Sequence, residues 1–167
     1  MIGAFIGDLA AWTWEHDHDK FYPQLYSDVA QKSEYSDLML QTAKLLLQCP
    51  NISRDEFMRI HQCYYNIDNA KANAEYDLLR AIVIGWMYDA DEISSAIHKF
   101  CILDDKEELY ASHFLAHLIY RLRTGFTKKE ATLVDFCGTF RSFTKEEHWK
   151  NSHGVLSYLV RAWMSFF

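Results

Sequence analysis

The chain has 167 residues, half of them apolar and 16% aromatic, with 17 Lys and Arg against 23 Asp and Glu for a formal charge of −6. Such a length suits one domain that buries roughly 70% of its unfolded surface, and such a composition excludes a disordered or low-complexity segment. The negative charge argues against a non-specific nucleic-acid binder, which needs a basic face to displace counterions from phosphate, and favours a partner with a basic surface.

The predicted elements are helices throughout. Leu38, Met39, Thr42, Leu45 and Leu46 fall at helical spacing between Ser36 and Gln48, and Pro50 stops that helix. Ser53, with Glu56 three residues on, forms a capping box for a second helix running to about Tyr65. A third is expected from about Ala72 to Tyr88 and a fourth from about Asp91 to Cys101. Asp104 or Asp105 opens the fifth, which carries Leu109, Phe114, Leu118, Ile119 and Leu122 before Gly125 ends it. Thr127 and Glu130 cap a sixth, and Gly154 to Phe166 makes a seventh. With only two prolines and no alternating β-branched run, the expected fold is all-α, a compact single-domain multi-helix bundle over residues 1–167.

No apolar run approaches the ~18–20 residues of a membrane span, and Asp8 interrupts an N-terminus without a basic region, so no signal peptide is expected. Cys49, Cys63, Cys101 and Cys137 are too far apart for a zinc or redox motif, which predicts reduced thiols in a cytoplasmic protein.

Several clusters have both a chemical and a plain reading. His16-Asp17-His18-Asp19 is dense in ligand types but reads more simply as a solvated loop. His113 and His117, at i and i+4, share a helix face as zinc ligands must, yet no carboxylate stands between them and a polar stripe explains them. Glu34 and Asp37 suit a weak magnesium site or, more simply, the first turn of a helix. Asp104, Asp105, Glu107 and Glu108 suit a helix start or, beside Asp89, Asp91 and Glu92, an acidic face for a basic partner. Phe166 and Phe167 belong to a last core helix or to an exposed docking patch that a homodimer would cover.

The opening Met1 to His16, with Gly3, Gly7 and Asp8 followed by Trp14 and Glu15, resembles the N-terminus of the ADP-ribosylglycohydrolase family, whose chains open on Gly-Ala-Ile-Ile-Gly-Asp. Ile84-Gly85-Trp86-Met87-Tyr88-Asp89 is similar to the family's Val-Gly-Trp-Leu-Tyr segment, and Arg123 to Glu130 to its Arg-Thr-Gly-Lys-Ser-Lys-Glu-Glu helix junction. Gly154 to Trp163 resembles a small-residue helix in the family's C-terminal third. These four segments fall in order across most of the chain, and all belong to the scaffold.

The resemblance implies a dinuclear magnesium site, and there the sequence departs from the pattern. The positions matching Thr-Asp-Asp-Thr-x-Met, which ends on Met39, are Glu34, Tyr35, Ser36 and Asp37, so both metal-binding aspartates are replaced. The loop Gly-Asn-Gly-x-x-Met-Arg, which contacts ADP-ribose in the family, falls on Ala74 to Arg80, and only Arg80 is kept. A Ser-His-Asn-His-Pro-Glu segment falls on Ile102 to Glu107 and retains neither histidine. The second metal motif, Gly-Asp-x-Asp-Thr, is expected beyond Gly154–Phe167, past the last residue.

Magnesium requires near-octahedral oxygen ligands, and a two-metal hydrolytic site needs several carboxylates. The expectation is therefore a catalytically inactive relative with no catalytic residue and no cofactor. It acts by protein–protein contact, as an inhibitor or regulator of a bacterial or phage-related complex such as a CRISPR effector. The alternative is a residual magnesium-dependent ADP-ribosyl hydrolase or ADP-ribose binder using Asp8, Glu15, Glu34, Asp37 and Arg80.

Overall fold

The computed structural model describes residues 33–65, 70–102, 106–127 and 129–131. Among them the architecture is all-α, with helices α1 (Glu34–Gln48), α2 (Arg54–Tyr65), α3 (Ala70–Met87), α4 (Ala90–Phe100) and α5 (Lys106–Arg123) and no strand. The predicted helix beyond Ala131 and that at Gly154 to Phe166 lie outside the described residues. The chain divides into two compact units, Met1–Ile52 and Ser53–Phe167.

In the first unit, α1 starts two residues before the apolar period does, because Ser33 caps it. The Ser33 hydroxyl accepts from the backbone N–H groups of Tyr35 (3.2 Å) and Ser36 (3.4 Å), satisfying donors that the first turn leaves open. Ser36, Leu38, Met39, Thr42, Ala43 and Leu46 form its buried face, the i, i+3, i+4 stripe of an amphipathic helix. The helix closes at Cys49, whose N–H donates to the Leu45 carbonyl at 2.9 Å, and Pro50 follows as the residue that cannot continue it.

The second unit is built on α3 and α5, which make its most extensive contact; α4 packs on both and α2 packs on α4. Ser53 caps α2 by accepting from the Glu56 N–H at 3.2 Å. At the start of α4 the Glu92 carboxylate accepts from the Asp89 N–H at 3.2 Å. Ile93, Ala96, Ile97 and Phe100 supply the buried stripe of α4, and each large apolar side chain so buried contributes roughly 1.5–3 kcal/mol.

The α3–α5 contact is close because Gly85 faces α5. A Cβ at that position would land on the Ala116 carbonyl oxygen and come within 2.9 Å of the Ile119 Cβ. The two backbones therefore touch with no side chain between them at this level.

Helix α5 ends in a Schellman motif. The Phe126 N–H donates to the Arg121 carbonyl (3.1 Å) and the Gly125 N–H to the Leu122 carbonyl (3.4 Å), with Gly125 at φ +95°, a backbone region that glycine enters without penalty. The Thr127–Glu130 capping box follows: the Glu130 carboxylate accepts from the Thr127 N–H at 2.9 Å, and the Thr127 hydroxyl accepts from the Glu130 N–H at 3.3 Å.

Two substitutions test these backbone arguments. Gly85→Ala is expected to destabilise by about 1–3 kcal/mol through overpacking against α5, whereas Gly125→Ala costs about 1 kcal/mol through strain at positive φ. Urea unfolding of both variants checks the order; equal stability of Gly85→Ala and the parent would contradict the close approach.

Candidate functional site

The polar chemistry of the second unit centres on Arg80 in α3. This side chain is fully buried among apolar neighbours in sequence, between Leu79 and Ala81, so its charge must be met inside the protein. One turn earlier, Asp77 is also fully buried, and its Oδ1 accepts a charge-assisted hydrogen bond from the Arg80 Nη1. The other oxygen, Oδ2, accepts from the Ile102 N–H at 2.8 Å, and the Asp77 backbone carbonyl lies 3.8 Å from the Cys101 Sγ. One carboxylate thus neutralises the buried cation and also fixes the chain as it leaves α4.

Two more titratable groups surround the pair. His61 of α2 is buried, with its ring 4.3 Å from that of Phe57, which lies 4.8 Å from the Phe100 ring. Burial, and then the Arg80 charge, push the His61 pKa down to about 3, so the imidazole is neutral near pH 7. Burial, then the Asp77 charge, raise the Cys101 thiol well above its ordinary value, so it is a protonated thiol and not a nucleophile. Cys49 is exposed, and neither it nor Cys101 is in a disulfide.

A second group lies between α4 and α5. The His98 and His113 rings meet edge-on with centroids 5.4 Å apart, and those of His113 and His117 stack at 6.5 Å. Burial and then the two neighbouring imidazoles lower the His113 pKa to about 4. The predicted i, i+4 pair is thus joined by His98, which was not anticipated. Among the described residues, no group of three or more His, Cys, Asp or Glu is arranged to hold a metal ion.

A third feature is an exposed corner. Arg123 donates from Nε to the Gly85 carbonyl (3.0 Å) and from Nη2 to the Tyr88 carbonyl (2.8 Å) and the Asp89 carboxylate (3.3 Å). It therefore ties the end of α5 to the end of α3 and the start of α4. These stretches carry Trp86, Leu122 and Phe126, which are 41%, 41% and 48% exposed, together with exposed Asp89, Asp91 and Glu92. Among the described residues no helix is long and apolar enough to cross a membrane.

The predicted site residues fare differently from one another. Glu34 is exposed and Asp37 half-buried in the first turn of α1, a placement that suits the helix dipole. Arg80 is in the second unit, enclosed and bonded to Asp77 rather than facing solvent. Glu107 stands in the first turn of α5 and Glu108 is half-buried there. Asp8, Glu15, Asp104, Asp105, Phe166 and Phe167, and the His16–Asp19 cluster, lie outside the described residues. Asp77, His61 and Cys101 were missed as neighbours of Arg80; an Asp-x-x-Arg spacing from Asp77, with Arg80 inside the otherwise apolar run from Leu78 to Ile84, was the available signal. Comparison of the chain with family models, curated proteins and solved structures returns no match.

The two depressed histidines make stability depend on pH. Each is neutral when folded and takes up a proton near 6.5 when unfolded, so the stability they confer is complete above that value. It is lost as pH falls toward 4 for His113 and 3 for His61. His61 alone is expected to contribute a loss of about 1.4 kcal/mol per pH unit within this window. Urea midpoints measured between neutrality and mild acid check this, and His61→Gln is expected to give a shallower slope; an unchanged slope would contradict a neutral, buried His61.

Proposed function

We propose that this chain is a non-catalytic protein-binding module on a helical scaffold that resembles ADP-ribosylglycohydrolases. On this reading it inhibits or regulates a larger bacterial or phage-related complex, for which a CRISPR effector is one candidate. The observation that carries the reading is the corner organised by Arg123. Outward-facing Trp86, Leu122 and Phe126 are the residue types that anchor protein interfaces, and Asp89, Asp91 and Glu92 beside them suit a partner surface with basic residues around an apolar centre.

The buried polar groups support the same reading. Arg80 and Asp77 are used on each other, Cys101 is held as a thiol, and His61 is kept neutral inside the fold. Glu34 and Asp37 stand where ordinary first-turn acids stand. The scaffold resemblance itself rests on the sequence segments Met1–His16, Ile84–Asp89, Arg123–Glu130 and Gly154–Trp163, and on no matched relative. Free thiols at Cys49 and Cys101 suit a reducing, cytoplasmic setting.

Two measurements bear on the proposal together. Purified protein with millimolar Mg²⁺ is expected to release no ADP-ribose from an ADP-ribosylated protein substrate, and cation-dependent release would overturn the non-catalytic reading. Mixed with candidate nucleic-acid-handling complexes, it is expected to co-elute and to change their activity. The double variant Trp86→Ser/Phe126→Ser should weaken that association at least tenfold while retaining the parent's helical spectrum; undiminished binding by the folded double variant would exclude this corner.

A further inference from the structure

Three of the chain's eight histidines come together where α4 packs on α5. His98 is exposed near the end of α4, and His113 and His117 are half-buried on α5, so the group is open to solvent. A polar stripe along one helix accounts for His113 and His117 at i and i+4. It does not account for His98, which a different helix brings to within 5.4 Å of the His113 ring.

Centroid separation decides whether two imidazoles can share one ion. Rotation about χ2, a soft torsion in histidine, swings the ring nitrogens while the centroid stays on the rotation axis. With a metal–nitrogen length of about 2.1 Å the centroid lies about 3.2 Å from the ion, so two rings on a tetrahedral ion stand about 5.2 Å apart and never more than about 6.4 Å. His98 and His113, at 5.4 Å, meet the tetrahedral separation. His113 and His117, at 6.5 Å, lie just past the limit. The pair favoured by geometry is thus the one that crosses between helices, and two imidazoles within reach of one ion agree with the lack of a three-ligand group among the described residues.

We propose that His98 and His113 form a binding site for a divalent transition-metal ion of the zinc and copper class, with one ligand from α4, one from α5 and solvent in the remaining positions. Imidazole nitrogen suits these ions, whereas magnesium takes oxygen ligands and is excluded by the donor set. Two protein ligands with open positions make an exchangeable site, unlike the closed four-ligand cage of a structural zinc. Because the ligands come from two packed helices, the bound ion ties α4 to α5 and stabilises the folded chain by mass action. This site is independent of the proposed binding role of the Arg123 corner, and neither depends on the other.

The test titrates the full-length ¹⁵N-labelled protein with zinc chloride, and separately with magnesium chloride, while following the imidazole nitrogen resonances at mildly alkaline pH. Zinc is expected to move the His98 and His113 resonances together on one saturation curve that is complete below millimolar metal, and magnesium to leave both in place. Zinc should also raise the urea midpoint of the parent. His98→Ala, a change at an exposed position, is expected to weaken the zinc response of His113 at least tenfold, and His117→Ala to change it less than threefold. The parent titration stands without either variant. A His113 response that follows His117 and survives His98→Ala would place any metal on α5 alone and overturn the cross-helix site. So would the absence of a saturable response at His98 and His113, or an equal one to magnesium.

Discussion

The second unit depends on the accommodation of one cation in its interior. Ionised side chains are expelled from protein cores unless a partner of opposite charge and good geometry meets them, and Asp77 meets Arg80 from one helical turn away. Because the same carboxylate also takes the Ile102 N–H, the pair joins α3 to the end of α4. The depression of His61 and the protonated state of Cys101 both follow from lying in this enclosed, charged setting. Removing Asp77 alone would strand the guanidinium, at a cost of about 3–5 kcal/mol, the range for breaking a buried pair.

Around that pair the unit is organised by contacts of a different kind. Close approach at Gly85 brings α3 and α5 together, and Arg123 then uses three acceptors at the ends of neighbouring helices. Those acceptors are two backbone carbonyls that helix termination leaves open and one carboxylate. The interior charge is thus used to connect elements, and the peripheral one to close their ends. The surface left outward at that closure is aromatic and acidic.

Much of the helical framework was legible from residue spacing. The Thr127–Glu130 capping box, the stop at Gly125 and the cap at Ser53 all rest on short-range hydrogen bonds whose donors and acceptors are within a few residues. The start of α1 was displaced because the apolar period begins inside the helix, whereas the start is set by the hydroxyl of Ser33. Arg80 was legible as a residue of interest, but matching Ala74 to Arg80 to a ligand-contact loop hid its partner Asp77 at i−3. The roles of His61, His98 and Cys101 depend on helices far apart in sequence, and no local pattern announces which face of α2 or α4 turns inward. The candidate site was therefore visible as isolated letters and not as an assembly.

Gly85 also governs how α3 presents its next residue. Successive helical positions point about 100° apart, so seating the hydrogen of Gly85 against α5 directs the indole of Trp86 outward. Rolling α3 about its axis to shelter that ring would turn the side chain of a neighbouring position into the carbonyl of Ala116. The helix is in this sense keyed, and the outward indole is a fixed part of the surface rather than one rotational choice among several.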